Sequence, residues 1–229
     1  MAYYLIHSCN QRLWYVKDFL IPSMIKQGIE PSHILIYRDV NCIGNLRAWV
    51  DSCNRVSLQC SRNSIDGVWH LQDDVVICRD FKEKTEQYNS GIVCGFTCNY
   101  AVKPVSGTYK VADDKIWYSF PCMRIPAKIL QEFTAWANLC LWQSQYFRNN
   151  VLRGNADDLV FKEWLIDNYP EEKELNLAPN LVNHIDYLID GSTVNKWRTT
   201  DTTSIFWEDT EILNELEVKI EEYKREKLL

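Results

Sequence analysis

Residues 69 to 81 read Trp-His-Leu-Gln-Asp-Asp-Val-Val-Ile-Cys-Arg-Asp-Phe, which sets two adjacent carboxylates, Asp73 and Asp74, between apolar runs. Neighbouring carboxylates repel one another and keep their charge readily only in water or beside a cation. A pair in this setting therefore points to a hard divalent ion, which takes oxygen ligands. The competing reading is an Asp-rich turn, in which short polar side chains bond their own backbone. Two further elements favour chemistry: a second pair at Asp157 and Asp158, and His184 at the end of a Pro-Asn-Leu-Val-Asn-His run. In an extended segment residues i and i+2 share a face. That alternation puts Gln72 with Asp74 and turns Asp73 away, so Asp74 is the expected metal ligand and Asp73 its supporter or a turn stabiliser. Gln72 both donates and accepts, which suits a ribose hydroxyl or an ion-bound water.

The surrounding pattern predicts the elements that position these groups. An apolar strand over 3–8 leads to a helix with Trp14, Val16, Phe19, Leu20 and Met24 near one face. A second strand, 33–37, ends at Arg38-Asp39 and is followed by a helix over about 45–54. A third strand, 67–71, delivers the acidic pair, and strand character returns over 91–100 and 115–126. Helices are expected over 127–139, 157–166 and 209–227, the last with Glu early and Lys/Arg late, as the helix dipole prefers. Alternating strands and helices imply an α/β fold with a mostly parallel central sheet flanked by helices. In such sheets ligands bind beyond the carboxyl ends of the strands. Arg12, Asp39 and Asp74 all fall at such ends. One domain over 1–206 and an amphipathic helix over 207–229 packing back onto it are expected, giving a monomer or weak homodimer.

Composition narrows the class. The 229 residues are 46% hydrophobic and 13% aromatic, enough for a sizeable core, and the net charge of −6 excludes an all-over basic surface without excluding a local basic groove. Nine cysteines, an odd number with no Cys-x-x-Cys pair, read as buried reduced thiols. With no basic-then-apolar leader and no apolar run of membrane-spanning length, a cytoplasmic protein with no membrane partner is expected.

On these residues the chain resembles the GT-A glycosyltransferases, with a Rossmann-like α/β domain, and is similar to small nucleotide-sugar enzymes of bacteriophages. Gln72-Asp73-Asp74 stands in the slot of the family's Asp-x-Asp motif, with Gln72 where Asp or Glu is common. Asp157-Asp158 stands in the slot of the catalytic acidic residue, and His184 in that of the C-terminal histidine on the metal. The resemblance implies Mn²⁺ or Mg²⁺ held by Asp74 and His184, a nucleoside diphosphate sugar such as a UDP-sugar as donor, and Asp158 as base. A carboxylate base implies inversion at the sugar. Arg12 and Arg198 are candidates for the phosphates, and Asp39 for a ribose hydroxyl or uracil. The acceptor is a soluble glycan or metabolite, a protein, or DNA carrying a 5-hydroxymethylpyrimidine. For DNA, Lys110, Lys115, Arg124, Lys128, Arg148 and Arg153, interleaved with Tyr109, Trp117, Trp142 and Tyr146, would supply the surface. Two other classes stay open: a metal-dependent phosphoester hydrolase, and a nucleotide-sugar-binding module without catalysis.

Overall fold

The computed structural model describes residues 2–41, 43–96, 107–111, 120–145, 157–189 and 207–228. Strands β1 (Tyr4–Cys9), β2 (Ile34–Asp39) and β3 (Gly67–Gln72) lie side by side and parallel in the order β2-β1-β3. The sheet continues through β7 (Cys122–Pro126), β5 (Ile92–Cys94), β8 (Lys173–Asn176) and β6 (Gly107–Lys110), making seven strands. Only β7 and β6 run against the other five. A separate two-stranded sheet pairs β4 (Val75–Ile77) antiparallel with β9 (Val182–His184). The expected α/β class with a mostly parallel sheet is what the chain adopts.

Alternation along the strands divides the core into two layers. Leu5, Val68 and Ile125 face one side, where helices α2 (Asn45–Asn63), α4 (Ala127–Leu139) and α5 (Asp157–Asn168) cover them through Trp49, Cys53, Phe133 and Phe161. Tyr4, Ile6 and Trp69 face the other, under α1 (residues 13–26), α3 (Phe81–Gln87) and α6 (Thr210–Leu228). Helix α1 runs as α over Leu13–Tyr15, as a π-helical turn over Val16–Leu20 and as α again over Ile21–Lys26. In α2 the apolar stripe Leu46, Trp49, Val50, Cys53, Val56 and Cys60 persists past residue 54, so the helix runs nine residues beyond expectation, until Ser64 takes a left-handed conformation with φ 54°. Ser64 takes the left-handed helix-ending conformation that glycine usually supplies, at the steric cost its Cβ brings.

Helix α6 docks on the body as expected, burying Leu216 and Ile220. Tyr223 stacks on Trp14 at 4.9 Å and donates its hydroxyl to Asp18, while Lys224 Nζ donates to Leu188 O. One helix thus braces both α1 and the segment after β9. Among the described residues no helix is long and apolar enough to cross a membrane.

Several expectations are corrected. Strand β3 stops at Gln72, and Asp73-Asp74 forms a two-residue turn into β4, so the i, i+2 rule no longer governs where the carboxylates point. Strand character over 91–100 is confined to Ile92–Cys94 among the described residues, and that over 115–126 to Cys122–Pro126. Cys140 is exposed, whereas Cys53, Cys60, Cys78, Cys94 and Cys122 are buried free thiols. Arg124 is buried, not offered to DNA: its guanidinium donates to Asn89 and Gly91 O and pairs with Asp66 at 3.3 Å. A side chain at Gly67 would meet Arg124 Nη2 at 2.9 Å, so the glycine makes room for it. Lys110 is paired with Glu171 and Lys128 with Glu132. Lys115, Trp117, Tyr146, Arg148 and Arg153 lie outside the described residues.

Candidate active site

The parallel register Tyr4↔Ile34 through Cys9↔Asp39, with His7↔Gln72, lines up the carboxyl ends of β1, β2 and β3 on one rim. Arg12 follows β1 and caps the start of α1, its carbonyl accepting from the N–H groups of Tyr15 and Val16. Asp73 and Asp74 follow β3. The antiparallel pairing Val75↔His184 brings His184 to them, locked by the Ile185 N–H donating to Asp74 O at 2.8 Å.

The result is a compact charged cluster. Arg12 Nη1 donates to Asp73 Oδ1 at 3.1 Å and to Asp74 Oδ2 at 2.5 Å, and all three side chains are under 10% exposed. His184 Nε2 lies 3.0 Å from the same Asp74 Oδ2, and its Nδ1 lies 3.5 Å from Asp186 Oδ1. The Cys9 N–H donates to Asp73 Oδ2. Tyr15 floors the site, its hydroxyl donating to Val75 O at 2.8 Å.

Electrostatics follow from this packing. Burial raises the Asp74 carboxyl, but His184 and Arg12 outweigh it and hold Asp74 well below the usual carboxylate range. Asp73 is pushed up, by burial and by the charge of Asp74, against the pull of Arg12. Burial works against the imidazolium of His184, yet Asp74 and Asp186 raise its pKa. Burial and the two aspartates push the Tyr15 phenol up, so it remains a neutral donor.

The cluster gathers four of the residues singled out in the sequence: Arg12, Asp73, Asp74 and His184. Asp73 was expected to point away and instead shares Arg12 with Asp74, because the turn swings both carboxylates to one side. Gln72, at the strand end, shares the face of His70, and its N–H donates to Pro121 O at 3.2 Å. Asp39 sits on the same rim one strand over from Cys9, its Oδ1 accepting from the Ile43 N–H at 3.2 Å. Asp157 and Asp158 open α5 in the opposite helical layer, where Asp158 Oδ1 accepts from the Leu159 N–H and Asp157 acts electrostatically on Cys53. Burial and the neighbouring Asp158 push the Asp157 carboxyl up to about 7. Arg198 lies outside the described residues.

Sequence reasoning missed Asp186 and Tyr15. His184-x-Asp186 carried no strand signal: the strand ends at His184, and the turn after it brings Asp186 Oδ1 to 3.5 Å from His184 Nδ1. His70 is structural, as expected. It packs on Trp49 with ring centroids 4.6 Å apart, both its ring nitrogens are buried with no partner among the described residues, and burial and His7 hold its pKa down at about 3.

Among the described residues, no three or more His, Cys, Asp and Glu side chains are grouped to hold a metal ion. Arg12 Nη1 stands between the two carboxylates, within hydrogen-bond distance of both. Two atoms at this spot remain buried with no partner among the described residues, the acceptor Asp74 Oδ1 and the donor Arg12 Nε. Such atoms cost roughly 1–3 kcal/mol each when left unsatisfied. They are complementary to a ligand carrying both a cation and an anionic oxygen. Asp74 and His184 together suit an ion that takes its remaining ligands from phosphates and water, the habit of Mg²⁺ in nucleotide sites. Asp186 on the far side of the imidazole is placed to orient it, as carboxylates behind metal-bound histidines do.

No family model matches the chain, and no curated protein matches it. Among solved structures, A197 from STIV is similar at 16% identity and a TM-score of 0.44, covering 81% of this chain and 86% of that one. A glycosyltransferase involved in the glycosylation of the major capsid of PBCV-1 is similar at 11% identity and a TM-score of 0.41, covering 81% and 82%. UTP-bound UGPase from Acinetobacter baumannii is similar at 13% identity and a TM-score of 0.31, covering 72% and 60%. At these values the likeness assigns neither family nor activity.

Proposed function

We propose that the protein is a metal-dependent glycosyltransferase that moves a sugar from a nucleoside diphosphate sugar to an acceptor hydroxyl, with inversion. The observation that carries this reading is the meeting of Asp74 and His184 beside Arg12, with Asp74 Oδ1 and Arg12 Nε left buried and unpartnered at the carboxyl ends of parallel strands. Asp74 and His184 would hold Mn²⁺ or Mg²⁺, which supplies Lewis-acid neutralisation of the departing diphosphate. Arg12 adds charge-assisted hydrogen bonds to the same oxygens. Asp39, on the rim, is the candidate for the nucleoside. Asp158 is proposed as the base that takes the acceptor's proton, a role worth about 10²–10⁴-fold in rate. The raised pKa of Asp157 beside it makes Asp157 the carboxyl that carries a proton near neutral pH.

A second reading, metal-dependent phosphoester hydrolysis, is favoured by the two extra carboxylates in the cluster, Asp73 and Asp186. One experiment separates the two. The protein is incubated with Mn²⁺, a panel of UDP- and GDP-sugars, and acceptors including hydroxymethylated DNA, glycans and protein, and products are read by mass spectrometry. A sugar adduct lost at least 100-fold in Asp74→Ala and His184→Ala supports transfer. Phosphate release without a sugar adduct supports hydrolysis. Transfer surviving both Asp74→Ala and Asp158→Asn would remove the proposed roles.

A further inference from the structure

We propose that Arg12 is a built-in counter-cation that holds the divalent-ion position until a diphosphate draws it away, so that ion and diphosphate bind together rather than singly. The proposal rests on the reading of the site as a metal–diphosphate site and adds to it the order in which the parts assemble.

Three features carry it. Arg12 Nη1 bridges Asp73 and Asp74 at 3.1 and 2.5 Å, and the Asp74 oxygen it takes is the one His184 Nε2 also reaches at 3.0 Å. An ion binding to that oxygen must therefore displace the guanidinium. Arriving alone, it would expel Arg12 from a nearly dry pair and leave a positive charge beside the incoming ion with no new partner, which is costly in a buried setting. Arriving with a diphosphate, it brings the anion that Arg12 needs. The guanidinium fork matches phosphate oxygens, and Arg12 Nε is already a buried donor with no partner among the described residues.

The backbone allows the exchange without unfolding. Arg12 sits at the start of α1, its carbonyl accepting from the N–H groups of Tyr15 and Val16, so the main chain is fixed while the side chain rotates. The π-helical turn over Val16–Leu20 follows directly, and such turns recur at functional sites. Asp73 keeps the Cys9 N–H at 3.0 Å when Arg12 leaves, so its carboxylate does not lose every partner.

The test is equilibrium dialysis of the full-length protein against Mn²⁺, with and without inorganic pyrophosphate, compared at equal free Mn²⁺. Pyrophosphate is used because it carries the diphosphate without committing to a base. Wild type is expected to retain Mn²⁺ at least tenfold more tightly when pyrophosphate is present. Arg12→Gln, which keeps a hydrogen-bond donor and removes the charge, is expected to bind Mn²⁺ alone at least tenfold more tightly than wild type. Arg12→Lys, which keeps the charge, should stay near wild type, and the wild-type comparison stands even where a variant fails to fold. Tight Mn²⁺ binding by wild type without pyrophosphate overturns the proposal and leaves the metal–diphosphate site standing. So does an Arg12→Gln affinity equal to wild type. Wild type retaining no Mn²⁺ under either condition overturns the site itself, and this proposal with it.

Discussion

Two Asp-Asp pairs of this chain, Asp73-Asp74 and Asp157-Asp158, hold carboxyls in opposite electrostatic states: Asp74 is held down and Asp157 is pushed up. Asp73-Asp74 lies in a turn between strands, facing Arg12 and His184, and Asp74 stays charged even though it is buried. Asp157-Asp158 opens α5, where burial and the repulsion of Asp158 raise Asp157 to about 7. A helix amino terminus favours negative charge, but only modestly, and here it does not offset the neighbouring carboxylate. What separates the pairs is a full positive charge delivered by another part of the chain. Composition at the pair says nothing of it.

The largest effect is expected from removing that charge. Arg12→Gln leaves two buried carboxylates without their cation and is expected to cost about 3–5 kcal/mol of stability, read from urea unfolding at pH 7. A loss below 1 kcal/mol would mean that water screens the pair. The next is smaller and opposite in sense. Asp157 has a folded-state pKa raised above its unfolded value near 4, so its contribution to stability is present below about pH 4 and is lost as pH rises through about 7. Asp157→Asn removes that loss, and at pH 8 it should be more stable than wild type by about 1–2 kcal/mol, with little difference at pH 4. Asp74 has the reverse sign: its contribution is present above about pH 4 and is lost as pH falls below that. The smallest effect belongs to an exposed arginine with the same partner chemistry. Arg79 pairs with Asp209 and Glu211 at the start of α6, and Arg79→Ala should leave the urea midpoint unchanged because solvent screens the pair. A midpoint shift as large as that of Arg12→Gln would show that burial is not what gives Arg12 its weight.

Much of the scaffold was legible because it is written in local periodicity. The helix Ala127–Leu139 has the expected bounds, and β1, β2, β3 and α6 fall within two residues of theirs. The short strands β4, β6, β8 and β9 were not legible. Three or four residues hold too few alternations to stand out from a loop, and their identity comes from partners distant in sequence. At the site, Arg12, Asp73, Asp74 and His184 could be named from residue type and strand ends, but Asp73 was given the wrong direction because the strand ends at Gln72, two residues short of the Asp74 to which the alternation was carried.

The sequence by itself determined the α/β class, the rim on which polar strand ends gather, and the presence of Asp73-Asp74, Asp157-Asp158 and a histidine suited to a cation. Only the tertiary structure decided which carboxyl is held in its charged form, Asp74. Pairing of β4 with β9 carries His184 to Asp74, and the start of α1 turns Arg12 back over both carboxylates. The reason is range: periodicity reports a residue's neighbours within a few positions, whereas a buried charge is set by whichever countercharge the fold brings within about 4 Å.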